Sequence, residues 1–331
     1  MSTADGSAQA PSLESRTGRD RALDRFREQA GPVALVLVFA GACIFSGGFA
    51  TTGNFESVLV GNAYVSLLAL GMTFVIISGG IDLSVGSVFA LGGVIAAWGA
   101  GHGGVLVAVL LPLLVCGLIG LAHGLLIAQG RLAPFIVTLA GMLFARGLLQ
   151  GISDQGTKTY TVKSGSVFAA LGNGTWVPVL TAVAFFAVGG VVLVRSRFGQ
   201  TVFAIGGSEN AATLMGLPVK RTKVLLYVLS GALAGAAGML NASRLESGVT
   251  NIGVGYELTA IAAVIIGGTL LTGGAGSVIG TVCGVLLLAI IQNLIGVHLS
   301  SYGSAASDFA NGAFLLVVVL VQTLVGRARH T

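Results

Sequence analysis

The chain has 331 residues, of which 54% are hydrophobic and only 9% charged, with a mean hydropathy of +0.94; a soluble domain carries roughly a quarter charged residues. Together with 52 glycines, a residue common in membrane helices, this excludes a soluble globular protein and points to an all-α, polytopic transmembrane helical bundle. The net charge of +5 reads as a topology signal and not as affinity for nucleic acid, because no aromatic-basic motif accompanies it.

Residues 1–30 are polar and carry both signs of charge. No apolar core with a cleavage site follows a short basic start, so a cleaved signal peptide is not expected. A flexible tail and an amphipathic helix over about 13–28 are both compatible with the pattern. Apolar segments then run over 32–49, 57–78, 83–100, 104–129, 133–152, 176–194, 223–241, 256–271, 275–297 and 308–326. A span needs about 20 residues, so about ten spans are expected within a membrane domain of 31–326, ahead of a short tail, 327–331. Segments 83–100 and 256–271 are short and glycine-rich, which suits broken or re-entrant elements. Cys43, Cys116 and Cys283 each lie inside an apolar run without metal-ligand spacing and read as small packing hydrophobes.

Placing both termini inside puts thirteen of the seventeen basic residues on the inner side, as the positive-inside rule requires. Lys158, Lys163 and Arg244 stay outside, and Arg146 falls within a span. The two longest connections are 153–175, outside, and 195–222, inside.

The stretch "VIISGGIDLSVGSVFALGG" (75–93) has a counterpart in "VIIGGTLLTGGAGSVIGTV" (264–282). Both hold an apolar run, a GG pair, a polar insert and then G-S-V, so an internal repeat of helix breaks is expected; whether the copies are parallel or inverted stays open. Gly79 and Gly80, like Gly267 and Gly268, lower helix propensity and admit non-helical backbone. Asp82, then Ser84, suits the cap of the next helix, whose dipole favours a carboxylate. Irregular backbone at membrane depth is tolerated where it is buried or faces water, so Asp82 is also a candidate for a polar pathway. Arg146 either snorkels outward or faces that pathway. His123 reads as a packing residue, and Asn293 and Gln292 as sources of interhelical hydrogen bonds. Glu56, Glu257 and Asp308 sit where spans begin and suit capping.

In the 195–222 connection, Ser208 is a good N-cap for "ENAATLMG", which Gly216 and Pro218 stop. A short helix is expected there, either a solvated connector or a docking element. The chain has no G-x-x-x-x-G-K-[ST] phosphate cradle and no hydrolytic signature, so neither an ATPase nor another enzyme is expected.

Five motifs in order carry a resemblance: "GMTFVIISGGIDLSVGSVFALGG" (71–93), "APFIVTLAGMLFARG" (133–147), "FGQTVFAIGGSENAATLMGLPVKRTK" (198–223), "YVLSGALAGAAGML" (227–240) and "AIAAVIIGGTLLTGGAGSVIGTVCG" (260–284). Over about 32–326 the sequence resembles the membrane permeases of bacterial sugar ABC importers, the ribose/xylose/galactoside type. The resemblance implies a sugar-channel subunit in the bacterial inner membrane that works by alternating access. It pairs with a second permease subunit, is driven by separate ATPase subunits that hold ATP and Mg, and is supplied by an extracytoplasmic sugar-binding protein. No cofactor is expected on this chain itself. The resemblance also implies that Ser208, Asn210, Ala211, Ala212, Gly216 and Leu217 belong to the element that contacts the ATPase. Asn62, Thr73, Asp82, Ser84, Phe135, Thr138 and Arg146 are the expected pathway residues, taken from polar, charged or aromatic positions in or near the motifs. Two departures are His123-Gly124, where the family often has Asn before Gly, and Leu139-Ala140-Gly141, where it often has TLG. The motifs look most like one of the two permease subunits of galactofuranose importers, which implies a heterodimer. An ion-coupled secondary transporter and an ABC permease for branched-chain amino acids are the alternative readings.

Overall fold

The computed structural model describes residues 18–299 and, beyond them, 306, 309, 310, 312–314 and 316. Residues 1–17, most of the expected last span at 308–326, Asp308 and the C-terminal tail lie outside the described residues. Helix α1 (Gly18–Phe45) runs from the polar sequence into the first apolar segment, with Pro32 inside it. The expected boundary near residue 31 therefore does not end a helix. α2 (Thr52–Ile77) is the central element, buried on all sides from Ala63 to Ile77. It is apolar around its whole circumference, as a helix surrounded by others must be.

α3 (Val85–Ala128) joins the expected segments 83–100 and 104–129 across Gly104, whose φ of 68° and ψ of −165° are not helical. The Cys116 thiol donates to the Val88 carbonyl at 3.5 Å. In an unbroken helix those residues would stand about 40 Å apart. Gly104 thus turns α3 back on itself as a hairpin of two packed arms.

α4 (Pro134–Ile152) starts with proline in its first turn, where the missing N–H costs nothing. The 153–175 connection holds a two-residue strand, β1 (Tyr160–Thr161), and a short helix, α5 (Val167–Ala170). After α6 (Trp176–Arg195) come α7 (Arg197–Gly207), α8 (Glu209–Leu214) and α9 (Val219–Leu245). β2 (Ser247–Gly248) pairs antiparallel with β1, Tyr160 opposite Gly248 and Thr161 opposite Ser247. α10 (Tyr256–Ile266) and α11 (Val278–Leu299) close the described chain. At 11 residues, α10 is about 16 Å long, roughly half the hydrocarbon thickness. Among the described residues six helices are long and apolar enough to cross a membrane, the folded α3 being one of them.

α9 lies in the groove between the two arms of α3, backbone against backbone. A methyl group on Gly92 would come within 2.9 Å of the Gly235 Cα, and methyls on Gly120, Gly231 and Gly238 would strike the carbonyls of Tyr227, Cys116 and Phe89. Small residues allow this approach where helices gain nothing from hiding apolar surface from lipid. The core that results holds Leu67, Leu68, Met72, Phe89, Leu91, Ala237 and Leu240.

Candidate functional site

The two GG breaks close by the same backbone device. After α2, Gly79 takes φ +80° and the Gly80 N–H reaches the Val75 carbonyl at 3.0 Å. After α10, Gly268 takes φ +90° and the Thr269 N–H reaches the Val264 carbonyl at 3.2 Å. Both are left-handed helix terminations in which a later amide satisfies an orphan carbonyl five residues back. Helix resumes at Val85 in one case and at Val278 in the other.

The breaks touch. The Gly274 N–H donates to the Ile77 carbonyl, freed by the end of α2, at 2.8 Å. Thr73 in α2 and Thr281 in α11 share a hydroxyl–hydroxyl hydrogen bond of 2.7 Å.

Asp82 is buried within the first break. One carboxylate oxygen accepts from the Ser84 N–H at 3.0 Å and the Ser84 hydroxyl at 2.6 Å. The other accepts from the Ser230 hydroxyl of α9 at 2.7 Å. A buried carboxylate is tolerated when its oxygens are hydrogen-bonded in this way. Asp82 therefore organises the start of α3, whereas Ser84, at the N-cap position, makes no side-chain cap of its own because its hydroxyl is turned to Asp82. Ser230, which sequence pattern did not single out, completes the cluster. The Ile81 carbonyl, exposed by the break, faces the hydroxyls of Tyr227 at 3.4 Å and Thr138 at 3.5 Å.

The other expected pathway residues are dispersed. Thr73 and Thr138 are buried and also bond their own helices, to the carbonyls of Ala69 at 2.7 Å and Pro134 at 2.9 Å. Asn62, half-buried, donates to the Val58 carbonyl at 2.9 Å. Phe135 is 54% exposed on the outer face of α4. Arg146, also half-buried, donates from Nη1 to the carbonyls of Thr250 and Ile252, each at 3.1 Å. It thereby holds the extended segment ahead of α10 against α4. The reciprocal amide pair of Asn54 and Asn293, 2.9 and 3.2 Å, ties α2 to α11. Glu257 accepts from the Gly255 N–H at 3.2 Å, at the start of α10.

The 195–222 connection folds as the expected short helix preceded by a second one, α7, that hydrophobic length alone did not separate. The Ser208 hydroxyl caps α8 by accepting from the Ala211 N–H at 3.2 Å, and Gly216, at φ +75°, follows its end. Ala212 packs under Ile205 and Val219, with Leu217 beside them. Glu209 pairs with Lys223 at 2.6 Å. Leu214 and Met215 face away, 89% and 66% exposed, and Asn210, Ala211 and Gly216 are exposed with them. One apolar groove, between α1, α2 and α11, is lined by Leu35, Phe39, Phe55, Val58, Leu286 and Ile290 and offers a polar solute nothing to bind.

Residues 54–323 match the family described as the branched-chain amino acid transport system permease component. Among curated proteins the chain is 40% identical to the inner membrane ABC transporter permease protein YjfF of Escherichia coli (strain K12), over 83% of this chain and 85% of that one. It is 38% identical to the ribose import permease protein RbsC of Bacillus subtilis (strain 168), over 90% and 94%. With the fructose import permease protein FruG of Bifidobacterium longum (strain NCC 2705) it shares 36% identity over 88% and 89%. No solved structure matches the chain. A match of this extent, over a bundle with broken glycine-rich helices and no nucleotide-binding motif, shows that the chain belongs to the branched-chain amino acid transport system permease family, among the membrane permeases of ABC transporters.

Proposed function

We propose that this chain is the channel-forming permease subunit of an ABC importer for a monosaccharide in a bacterial inner membrane. It is a transport subunit and not an enzyme; ATP and Mg belong to separate ATPase subunits. The observation that carries this reading is α8, a short helix capped by Ser208, pinned by the Glu209–Lys223 pair and presenting Leu214 and Met215 outward. An apolar tip on a fixed cytoplasmic helix suits insertion into a partner's cleft, with Asn210, Ala211, Ala212, Gly216 and Leu217 shaping its base and Ser208 its start. A second permease subunit, homologous or identical, completes the channel, and an extracytoplasmic binding protein delivers the sugar.

The substrate class rests on relatives named for ribose, fructose and L-arabinose; galactofuranose is the specific sugar to test first. The transmembrane domain, 31–326, has both termini inside and ten passages. Counting each arm of α3, the apolar part of α1, the half-length α10 and the apolar sequence 308–326 supports that number. The paired breaks support an internal repeat, and a central path between them fits Asp82, Ser84 and Arg146 as wall-shaping residues. Transport proceeds by alternating access, the ATPase and binding protein shifting the balance of two conformations.

A second reading follows from the family's description: the substrate is a branched-chain amino acid. Both are tested by co-expressing the chain with its ATPase and binding protein in proteoliposomes. ATP-dependent uptake of labelled galactofuranose, ribose, fructose or arabinose supports the sugar reading; uptake of leucine alone supports the other. Leu214→Glu is expected to abolish co-purification of the ATPase. Uptake by the chain alone that collapses with an ion gradient would replace both readings with a secondary transporter.

A further inference from the structure

α7 ends one residue before the Ser208 that caps α8. Its last turn carries Gly206 into a space with no room for a side chain. A methyl group there would strike two atoms, the Ile77 carbonyl oxygen and the Gly274 amide nitrogen. Those two atoms are hydrogen-bonded to each other, and they belong to the two helix breaks. A methyl group on Gly273 would lie 2.8 Å from the Gly79 nitrogen and 3.1 Å from the Gly206 Cα. One on Gly276 would lie 2.9 Å from the Ile77 side chain. Around Gly206 and Gly273, three segments therefore meet through main-chain atoms: the end of α2, the connection between α10 and α11, and the end of α7.

A joint made of side chains can absorb a displacement by changing rotamers, whereas one made of backbone cannot; packed contacts of this kind shift as a unit or not at all. α7 is locked at both flanks. Val202 packs with Leu70, Phe74, Leu193 and Val278, and Ile205 packs with Ala212 of α8. A push on α8 therefore passes to α7 through the Ile205–Ala212 contact and the Gly207–Ser208 link, and the last turn of α7 meets the Ile77 carbonyl and the Gly274 amide with no side chain between.

We propose that Gly206 is a positioning residue for transport, the point at which movement of α8 is handed to both helix breaks at once. The inference rests on the reading of α8 as the ATPase-contacting element. Its role is to set how far the breaks follow the ATPase, not to bind sugar or nucleotide.

The test uses the assembled complex in proteoliposomes, comparing Gly206→Ala with Gly207→Ala, whose added methyl meets nothing within 4 Å. The ATP hydrolysed per sugar transported is expected to rise about tenfold in Gly206→Ala, within the range that changes along a coupling network reach, with the ATPase still bound. Gly207→Ala is expected to keep the unmodified ratio. A loss of folded protein alone would lower both rates and leave the ratio unchanged. An unchanged ratio in an assembled Gly206→Ala complex overturns the inference and leaves the functional reading standing. Absence of a co-purifying ATPase from the unmodified chain overturns both.

A second measurement needs no glycine substitution. Spin labels at Thr213→Cys, exposed on α8, and Leu271→Cys in a cysteine-free background report the distance from α8 to the second break. It is expected to stay constant between the nucleotide-free and ATP-bound complexes, while the distance from Thr213→Cys to a label at Phe135→Cys changes. A change in the first distance overturns the inference, even if Gly206→Ala does not fold.

Discussion

At the scale of single residues, the chain's buried polar groups serve first to close its own backbone. Asp82 accepts from three donors, so Asp82→Ala leaves those donors buried without their acceptor. That costs about 1–3 kcal/mol for each unsatisfied group, and thermal unfolding in detergent is expected to show a clear fall in Tm. Asp82→Asn keeps an acceptor oxygen and the shape, and is expected to recover more than half of that loss. The position of the break and the suitability of Asp82 as an organiser of α3 were legible in the order G-G-I-D-L-S. Ser230 was not, because it stands 148 residues away and nothing local marks it.

His123 offers a second case. Its imidazole occupies the place a side chain at Gly141 would take, so the ring in α3 fits only because α4 carries a glycine there. Gly141→Ala is expected to destabilise by about 1–3 kcal/mol through overpacking. Adding His123→Ala is expected to return part of that, a coupling measurable by a double-mutant cycle.

At the scale of elements, periodicity served well where a helix has one exposed face and poorly where the chain leaves the helix. The hairpin of α3 was readable as two apolar segments separated near Gly101–Gly104. The β1–β2 pair was not, since two residues on each side make no pattern. The extended stretch ahead of α10 falls between two apolar segments and carries no pattern of its own, yet Arg146 holds it through two carbonyls. Arg146→Met is expected to raise amide hydrogen exchange across 246–255 while leaving α2 and α9 protected, since local opening follows lost local contacts. If Arg146 instead snorkels free of this segment, exchange there will not change.

At the scale of the whole molecule, composition and charge asymmetry determine more than any motif does. The expected orientation is checked with single cysteines at exposed Lys163 and Arg221 in a cysteine-free background. A membrane-impermeant maleimide added to intact cells is expected to label Lys163→Cys, and to label Arg221→Cys only after permeabilisation. The reverse pattern would invert the topology and remove α8 from the ATPase's side. What the sequence could not convey at this scale is which segments lie against which, because glycine-to-glycine seams leave no hydrophobic signature.

The seam between α9 and α3 bears on how the protein is made. Both arms of α3 leave the ribosome well before α9, with α4 and α6 between them in the chain. At about 5–20 residues per second of synthesis, lipid tails occupy the waiting groove for seconds. α9 then enters as a late keystone and must expel them. Bulk introduced along the groove would therefore delay assembly in the living cell before it weakened the finished protein, and it would register as lost abundance rather than as lost transport.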